Sequence, residues 1–257
     1  MREDLKYLVV GDTIIDENVY LRAAGLSLES PTLKTTYTTK QIHFGGAANV
    51  ARFLSELDRD VTFLTSISPR FDLKFAKTES FYQGSDNFKT RFWVTHGDST
   101  YKYLQVNDVN DEEKSPIPLI DFDVSSFDVI AFADYRCGLI NQAFVDKCTE
   151  SEAMTYASSQ ISSRPSNFYR YENVDVIVCN EKESRFVPRT DNICITKGDK
   201  GCHFDGVDYL AHPVDTVVNT IGAGDCFYAA FLATGDPAAA NRHAAEYVTT
   251  EVYEQSD

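Results

Sequence analysis

The feature that most constrains the fold is a series of short apolar runs spaced along the chain. They are Leu5–Val10, Val61–Thr65, Phe127–Phe132, Val174–Cys179 and Ile193–Thr196. Each is too short for a helix of ordinary length and reads as a strand; the first, ending in Gly11-Asp12, has the pattern of a strand buried on both faces. Helical stretches lie between them. Ala47 to Leu57 places Ala47, Val50, Ala51, Leu54 and Leu57 on one stripe, and Gly222 through Thr234 reads as an apolar helix opening on a glycine turn. Strands alternating with helices pack as a parallel, doubly wound sheet flanked by helices, which sets the class as α/β.

Two segments follow a different rule. Residues 17–44 are rich in Thr and Tyr, alternate polar with apolar types and lack a helical period. They read as two or three strands of a small exposed sheet. Thr90 to Val106 reads as two more strands around the turn His96-Gly97-Asp98. Residues 68–90 leave room for little more than one short element. Asp111-Glu112-Glu113-Lys114 is a solvated charge run, and Pro116 and Pro118 punctuate a loop. The expected organisation is a single domain over 1–257, with the strands at about 17–44 and 90–106 forming a lid.

Charge narrows the partners. Lys plus Arg number 24 against 39 Asp plus Glu, a formal net charge of -15. Such a surface repels nucleic acid and anionic lipid, so neither is an expected partner. The sequence has no apolar run of membrane-spanning length, and Met1-Arg2-Glu3-Asp4 lacks the order of a signal peptide. The six cysteines form no Cys-x-x-Cys pair and sit among apolar neighbours, which suits buried reduced thiols better than a structural zinc. A cytoplasmic location is expected.

Three segments carry candidate chemistry. In Asn219-Thr220-Ile221-Gly222-Ala223-Gly224-Asp225, Gly222 and Gly224 let backbone amides turn toward an anion, and the following helix adds the positive end of its dipole. Asp225, in the first turn, is placed to accept a proton from a hydroxyl beyond the loop; the same residues would equally serve as a turn and a dipole partner. Gly11-Asp12-Thr13-Ile14-Ile15-Asp16 follows the first strand, where ligands of open α/β sheets collect. Asp12 and Asp16 suit bidentate hydrogen bonds to sugar hydroxyls, although Asp12 also fits a plain turn. Gly45-Gly46-Ala47-Ala48-Asn49 opens a helix with residues too small to block close approach, leaving Asn49 to touch a ligand or the helix simply to pack closely.

Taken together these segments resemble the signatures of the ribokinase-like (PfkB-type) carbohydrate kinases. Gly45-Gly46-Ala47-Ala48-Asn49-Val50-Ala51 is similar to the family's N-terminal glycine signature, and Thr220-Ile221-Gly222-Ala223-Gly224-Asp225 to its C-terminal one. Asn180-Glu181-Lys182-Glu183 resembles the Asn-x-x-Glu motif, and Thr196-Lys197-Gly198-Asp199-Lys200-Gly201 the loop lining the nucleotide site. Within the family, the stretch from Val9 to Asp16, Ser30-Pro31, Lys89-Thr90-Arg91-Phe92, Ala133-Asp134-Tyr135 and the strand from Tyr171 to Asn180 look like the heptose-7-phosphate kinase domain of bacterial ADP-heptose synthesis.

The resemblance implies an ATP-dependent sugar kinase with a small β-sheet lid. It implies that Asp12, Asp16, Gly45, Gly46 and Asn49 hold the sugar, that Asp225 is the base, that the amides of Ala223, Gly224 and Asp225 form an anion hole, and that Gly222 belongs to the same catalytic turn. It further implies that Lys197, Gly198 and Gly201 lie along the nucleotide, and that Asn180 and Glu183 organise Mg²⁺ through water. A phosphate on the sugar would be gripped by Arg91 or Lys102, and a homodimer would form through the lid.

Several positions depart from the pattern. An element usual after Ser66-Ile67 is missing, Asn219 replaces an Asp, Ser158-Ser159-Gln160 replaces Asp-Ser-Gln, and Arg136-Cys137-Gly138 replaces a Gly-Lys-Gly-like turn. The chain stops soon after Tyr253, which would leave the helices flanking the adenine short. A non-catalytic sugar- or nucleotide-binding homologue is therefore the rival reading. A dinucleotide-dependent oxidoreductase needs Gly-x-Gly-x-x-Gly after the first strand, which Gly11-Asp12-Thr13 does not supply.

Overall fold

The structure is a computed structural model that describes residues 5–82, 84–109, 122–161, 165–188 and 191–250. The charge run at 111–114, Pro116, Pro118, the first four residues and Tyr253 lie outside these. Strand β1 (Lys6–Gly11) runs into β2 (Thr13–Leu26), which turns back as β3 (Leu33–Gly46) and leads into helix α1 (Ala47–Glu56). Strands β4 (Asp60–Thr65), β5 (Lys77–Ser80), β6 (Asn87–His96), β7 (Ser99–Asp108) and β8 (Val129–Asp134) follow. Then come α2 (Gln142–Thr149), β9 (Met154–Ser159), β10 (Val176–Asn180), β11 (Ile193–Thr196), β12 (Cys202–Phe204) and β13 (Val207–Tyr209). Helices α3 (Ala223–Thr234) and α4 (Pro237–Thr249) complete the order.

These strands form two sheets. The larger has the order β13-β12-β11-β10-β9-β8-β1-β4-β5, parallel from β11 through β5 and antiparallel at β12 and β13. Its two faces are filled separately, as the sequence of β1 requires. Successive side chains of a strand point to opposite faces, so Tyr7 and Val9 join a core with α1 and α3, while Leu8 and Val10 join one with Phe144 of α2, Phe168 and Tyr171. This is the doubly wound α/β architecture that the apolar runs predict.

The smaller sheet has the order β3-β2-β6-β7. Strands β2 and β3 are antiparallel, β2 and β6 parallel, and β6 and β7 antiparallel. The segment 17–44 thus holds two long strands, and they outrun it: β2 begins at Thr13 and β3 ends at Gly46, so only Asp12 separates β1 of the large sheet from β2 of the small one. Gly97, at φ +59°, turns β6 into β7.

The apolar-run criterion passes over β9, β5, β12 and β13. Strand β9 is buried beside β8 yet reads Met-Thr-Tyr-Ala-Ser-Ser, too polar to stand out. Helices α2 and α4 carry terminal signals instead: Asn141 caps α2 by accepting from Phe144 N at 2.8 Å, and Asp236 caps α4 by accepting from Ala238 N at 2.8 Å ahead of Pro237. All six cysteines are buried free thiols, the arrangement expected from their neighbours. Among the described residues no helix is long and apolar enough to cross a membrane.

Candidate active site

The parallel strands deliver polar residues to one end of the large sheet. Tyr135 follows β8, Gln160 follows β9, Asn180 ends β10 with Glu183 three residues on, and Thr196 ends β11. These residues, with Val178, Gly224 and Asp225, line one hollow. Carboxyl ends of parallel strands are where ligands of such sheets collect. A second hollow is lined by Asp16, Gly46, Asn49, Lys89, Arg91, Ile221 and Gly222. The two share Tyr135, Gln160, Gly224 and Asp225, so they meet at the start of α3.

Asp225 is held from two sides at that junction. Asn49 Nδ2 donates to its Oδ2 at 3.0 Å, and the Tyr135 hydroxyl donates to its Oδ1. Burial pushes its carboxyl up to about 6, with Asp16 adding to the rise while Tyr135, Asn49 and Lys89 oppose it. A carboxylate so placed is a stronger base than one in water and is still ionised at neutral pH. Gly222 caps α3 in the left-handed region at φ 88°, and a Cβ there would meet the Tyr247 hydroxyl at 2.9 Å. A Cβ on Gly224 would meet nothing within 4 Å, because that face is open. The first-turn amides of a helix have no partner one turn back, so those of Gly224 and Asp225 are available to an anion, while Ala223 N donates to Thr220 O at 3.3 Å.

On the other side, Arg91 Nη1 donates to Asp16 Oδ1 at 2.5 Å, a pair whose side chains are 15% and 19% exposed. Gly45 leaves the room this carboxylate occupies: a Cβ there would lie 2.5 Å from Asp16 Oδ2. Lys89 lines the hollow with its Nζ 6.0 Å from the Tyr135 ring centroid. Lys102 is elsewhere, on exposed β7 with its Nζ 3.4 Å from Gln105, so of the two cations suggested for a phosphate grip only Arg91 faces the hollow.

Asp16, Gly46, Asn49, Gly222, Gly224 and Asp225 are therefore brought together, with Ala223 between the two glycines. Asp12 is not on either wall. It is 1% exposed, and its carboxylate accepts from Cys137 N at 3.1 Å and Leu139 N at 3.3 Å, so its oxygens serve the loop after β8. Asn180 and Glu183 cap each other: Asn180 Oδ1 accepts from Glu183 N at 3.0 Å, and Glu183 Oε2 accepts from Asn180 N at 2.9 Å. Burial raises the Glu183 carboxyl above its ordinary range.

Lys197 Nζ is bound to Asp208 at 2.6 Å, outside the hollow that Thr196 lines. Gly198 and Gly201 shape the turn beside it at φ +61° and +96°, and at Gly201 a Cβ would collide with Tyr209 O. The sequence motifs did not single out Tyr135, Lys89, Gln160 or Thr196 for a role. Their signal is positional, since three of the four stand at or just past the end of a parallel strand.

Comparison with known proteins places this geometry. The pfkB family carbohydrate kinase model matches residues 120–244. The bifunctional protein HldE of Campylobacter jejuni is 24% identical over 196 residues, covering 73% of this chain and 42% of that protein. HldE of Trichlorobacter lovleyi is 24% identical over 239 residues, covering 85% and 45%. The chain thus spans less than half the length of these relatives. Among solved structures, ribokinase from Thermotoga maritima superposes with a TM-score of 0.64 at 19% identity, over 96% of this chain and 93% of that one. Arabidopsis thaliana ribokinase complexed with ribose and ATP gives 0.64 at 16% identity, over 96% and 94%.

Proposed function

Because the chain belongs to the PfkB type of carbohydrate kinase, we propose that it transfers the γ-phosphoryl group of ATP to a hydroxyl of a sugar or sugar phosphate, with heptose 7-phosphate the first acceptor to test. The observation that carries this reading is the meeting of two hollows at one carboxylate, Asp225. Phosphoryl transfer needs an acceptor and a donor placed in line, with charge neutralised between them.

In the proposed reaction Asp16, Gly46 and Asn49 border the acceptor, and Arg91 or Lys89 meets a phosphate it already carries. Asp225 takes the proton of the attacking hydroxyl through the lone pairs that Tyr135 and Asn49 leave free. The amides of Gly224 and Asp225 receive the charge that builds on the transferring group, joined by that of Ala223 if it leaves Thr220 O. The nucleotide lies along the side lined by Asn180, Glu183 and Thr196, with the turn from Lys197 to Gly201 at its edge.

Glu183 and Asn180 suit Mg²⁺ held through water. The one side-chain oxygen of Asn180 accepts from Lys182 N and Glu183 N, and Glu183 Oε2 accepts from Asn180 N; no described group of three or more His, Cys, Asp or Glu residues forms a direct cage. Magnesium in phosphotransferases characteristically keeps waters and leans on substrate phosphates, which it bridges and neutralises. The small sheet would act as the lid, excluding water from the acceptor. A second copy of the chain would pair across it, a reading supported by β7, which is exposed along its whole length and bears Tyr101, Tyr103, Leu104 and Val106.

A coupled assay of ATP turnover with Mg²⁺ against heptose 7-phosphate, fructose phosphates, ribose and nucleosides tests the proposal. Acceptor-dependent ADP release is expected with a member of the panel. Silence across the panel, with any divalent ion, would favour a binding protein that keeps the fold without the reaction.

A further inference from the structure

The buried Asp134 borders the first hollow and the buried Asp12 lines neither, yet both carboxylates are engaged with the same loop. Asp134 Oδ1 accepts from Arg136 N at 2.8 Å, and its Oδ2 accepts from Tyr171 at 2.6 Å and Asn167 at 2.7 Å. Asp12 accepts from Cys137 N and Leu139 N. The two side chains are 1% and 3% exposed, so each carboxylate is committed to these donors. Between the anchors Arg136 is held at φ 62°, a conformation a non-glycine residue adopts only where its surroundings enforce it. Tyr135 stands next to it, with its backbone fixed on both sides.

We infer that Tyr135 is a positioning residue for Asp225: its hydroxyl, aimed by a loop clamped between Asp12 and Asp134, fixes the orientation of that carboxylate and weakens its hold on a proton. This rests on Asp225 as the base of the proposed reaction. Asp225 has one donor on each oxygen, Tyr135 on Oδ1 and Asn49 on Oδ2, so rotation about its last bond breaks both. Tyr135 also borders both hollows, so the donor sits where acceptor and nucleotide sides meet.

The phenol keeps its proton. Burial first, then the charge of Asp225, hold it well above its ordinary value, so it donates across the working pH range. The other charges facing this pair are Asp16 with its partner Arg91, Lys89 on β6, and Glu183 beyond β10, while the Tyr247 hydroxyl of α4 approaches the helix start. Tyr135→Phe leaves all of them in place and removes one oxygen. A hydrogen bond to the charged form favours that form, and its loss raises the carboxyl.

The test is titration of the Asp225 carboxyl carbon by ¹³C NMR in the full chain, assigned by the signal missing in Asp225→Asn. Tyr135→Phe should move the midpoint up by about one pH unit from the wild-type value. Replacing Tyr135 by 3-fluorotyrosine, a more acidic and stronger donor, should move it down, and this variant decides the matter if the Phe variant does not fold. A midpoint that stays put, or moves the other way, overturns the inference. The titration needs no acceptor, so it is independent of the kinase reading. A shifted midpoint without turnover on any acceptor removes that reading and keeps the coupling; turnover with an unmoved midpoint does the reverse.

Discussion

The two sheets solve opposite problems. In the large one, β1 and β8 are buried on both faces and packed between helices; in the small one, β7 is exposed from end to end. The large sheet fixes positions: Tyr135, Gln160, Asn180, Glu183 and Thr196 stand where strand ends put them. The small sheet contributes Asp16, Lys89 and Arg91 from stretches of β2 and β6 that are half-buried. In the proposed reaction the donor side thus stands on buried strand ends and the acceptor side on a more exposed support.

Substitutions can break this contrast in order of size. Phe132 is fully buried against Phe144 and Tyr171, and Phe132→Ala should cost about 3–5 kcal/mol in urea unfolding. If the loss were below about 1 kcal/mol, the large sheet would not be the rigid half. Arg91→Ala strands the Asp16 carboxylate at the acceptor wall. It should raise the acceptor KM about tenfold while kcat changes far less, as removal of a ground-state contact does; an effect confined to kcat would move Arg91 to the donor side.

The pH profile sharpens the same contrast. Asp225 must be unprotonated to accept the hydroxyl proton, and its carboxyl is raised to about 6. Turnover should therefore fall about tenfold per pH unit below that point and level off above it. A limb near pH 4 would indicate a carboxylate in water. The smallest effect belongs to β7: Tyr103, 58% exposed, should lose less than about 0.5 kcal/mol of subunit stability as Tyr103→Ala. Sedimentation of the same variant shows whether the sheet also pairs two copies, by a drop in mass.

Buried strands were the most legible part of the sequence, because burial on both faces leaves few options but Val, Ile, Leu and Phe. Strand β9 escaped that rule: Thr155 spends its polarity on Asp175, 2.8 Å away, and so tolerates burial. The glycine signatures located the helix start of Asp225 and the bend before α1, since a left-handed cap or a close approach needs glycine in any context. Asp12 and Asp16 show where sequence stops. Four residues apart on one strand path, they carry the same functional group, yet one is turned under the loop and the other into the hollow. Only the junction of the two sheets decides which. Tyr135 was hidden for a related reason, since its partner Asp225 lies 90 residues away.

The most direct measurement is transfer of labelled γ-phosphate from ATP to the acceptor, compared between the wild-type chain and Asp225→Asn. The variant keeps the shape and one acceptor oxygen for Asn49 or Tyr135 but loses the base. Transfer should fall by roughly two to four orders of magnitude while nucleotide binding stays within a few-fold. Equal transfer by both proteins would contradict a general base at the meeting point of the two hollows.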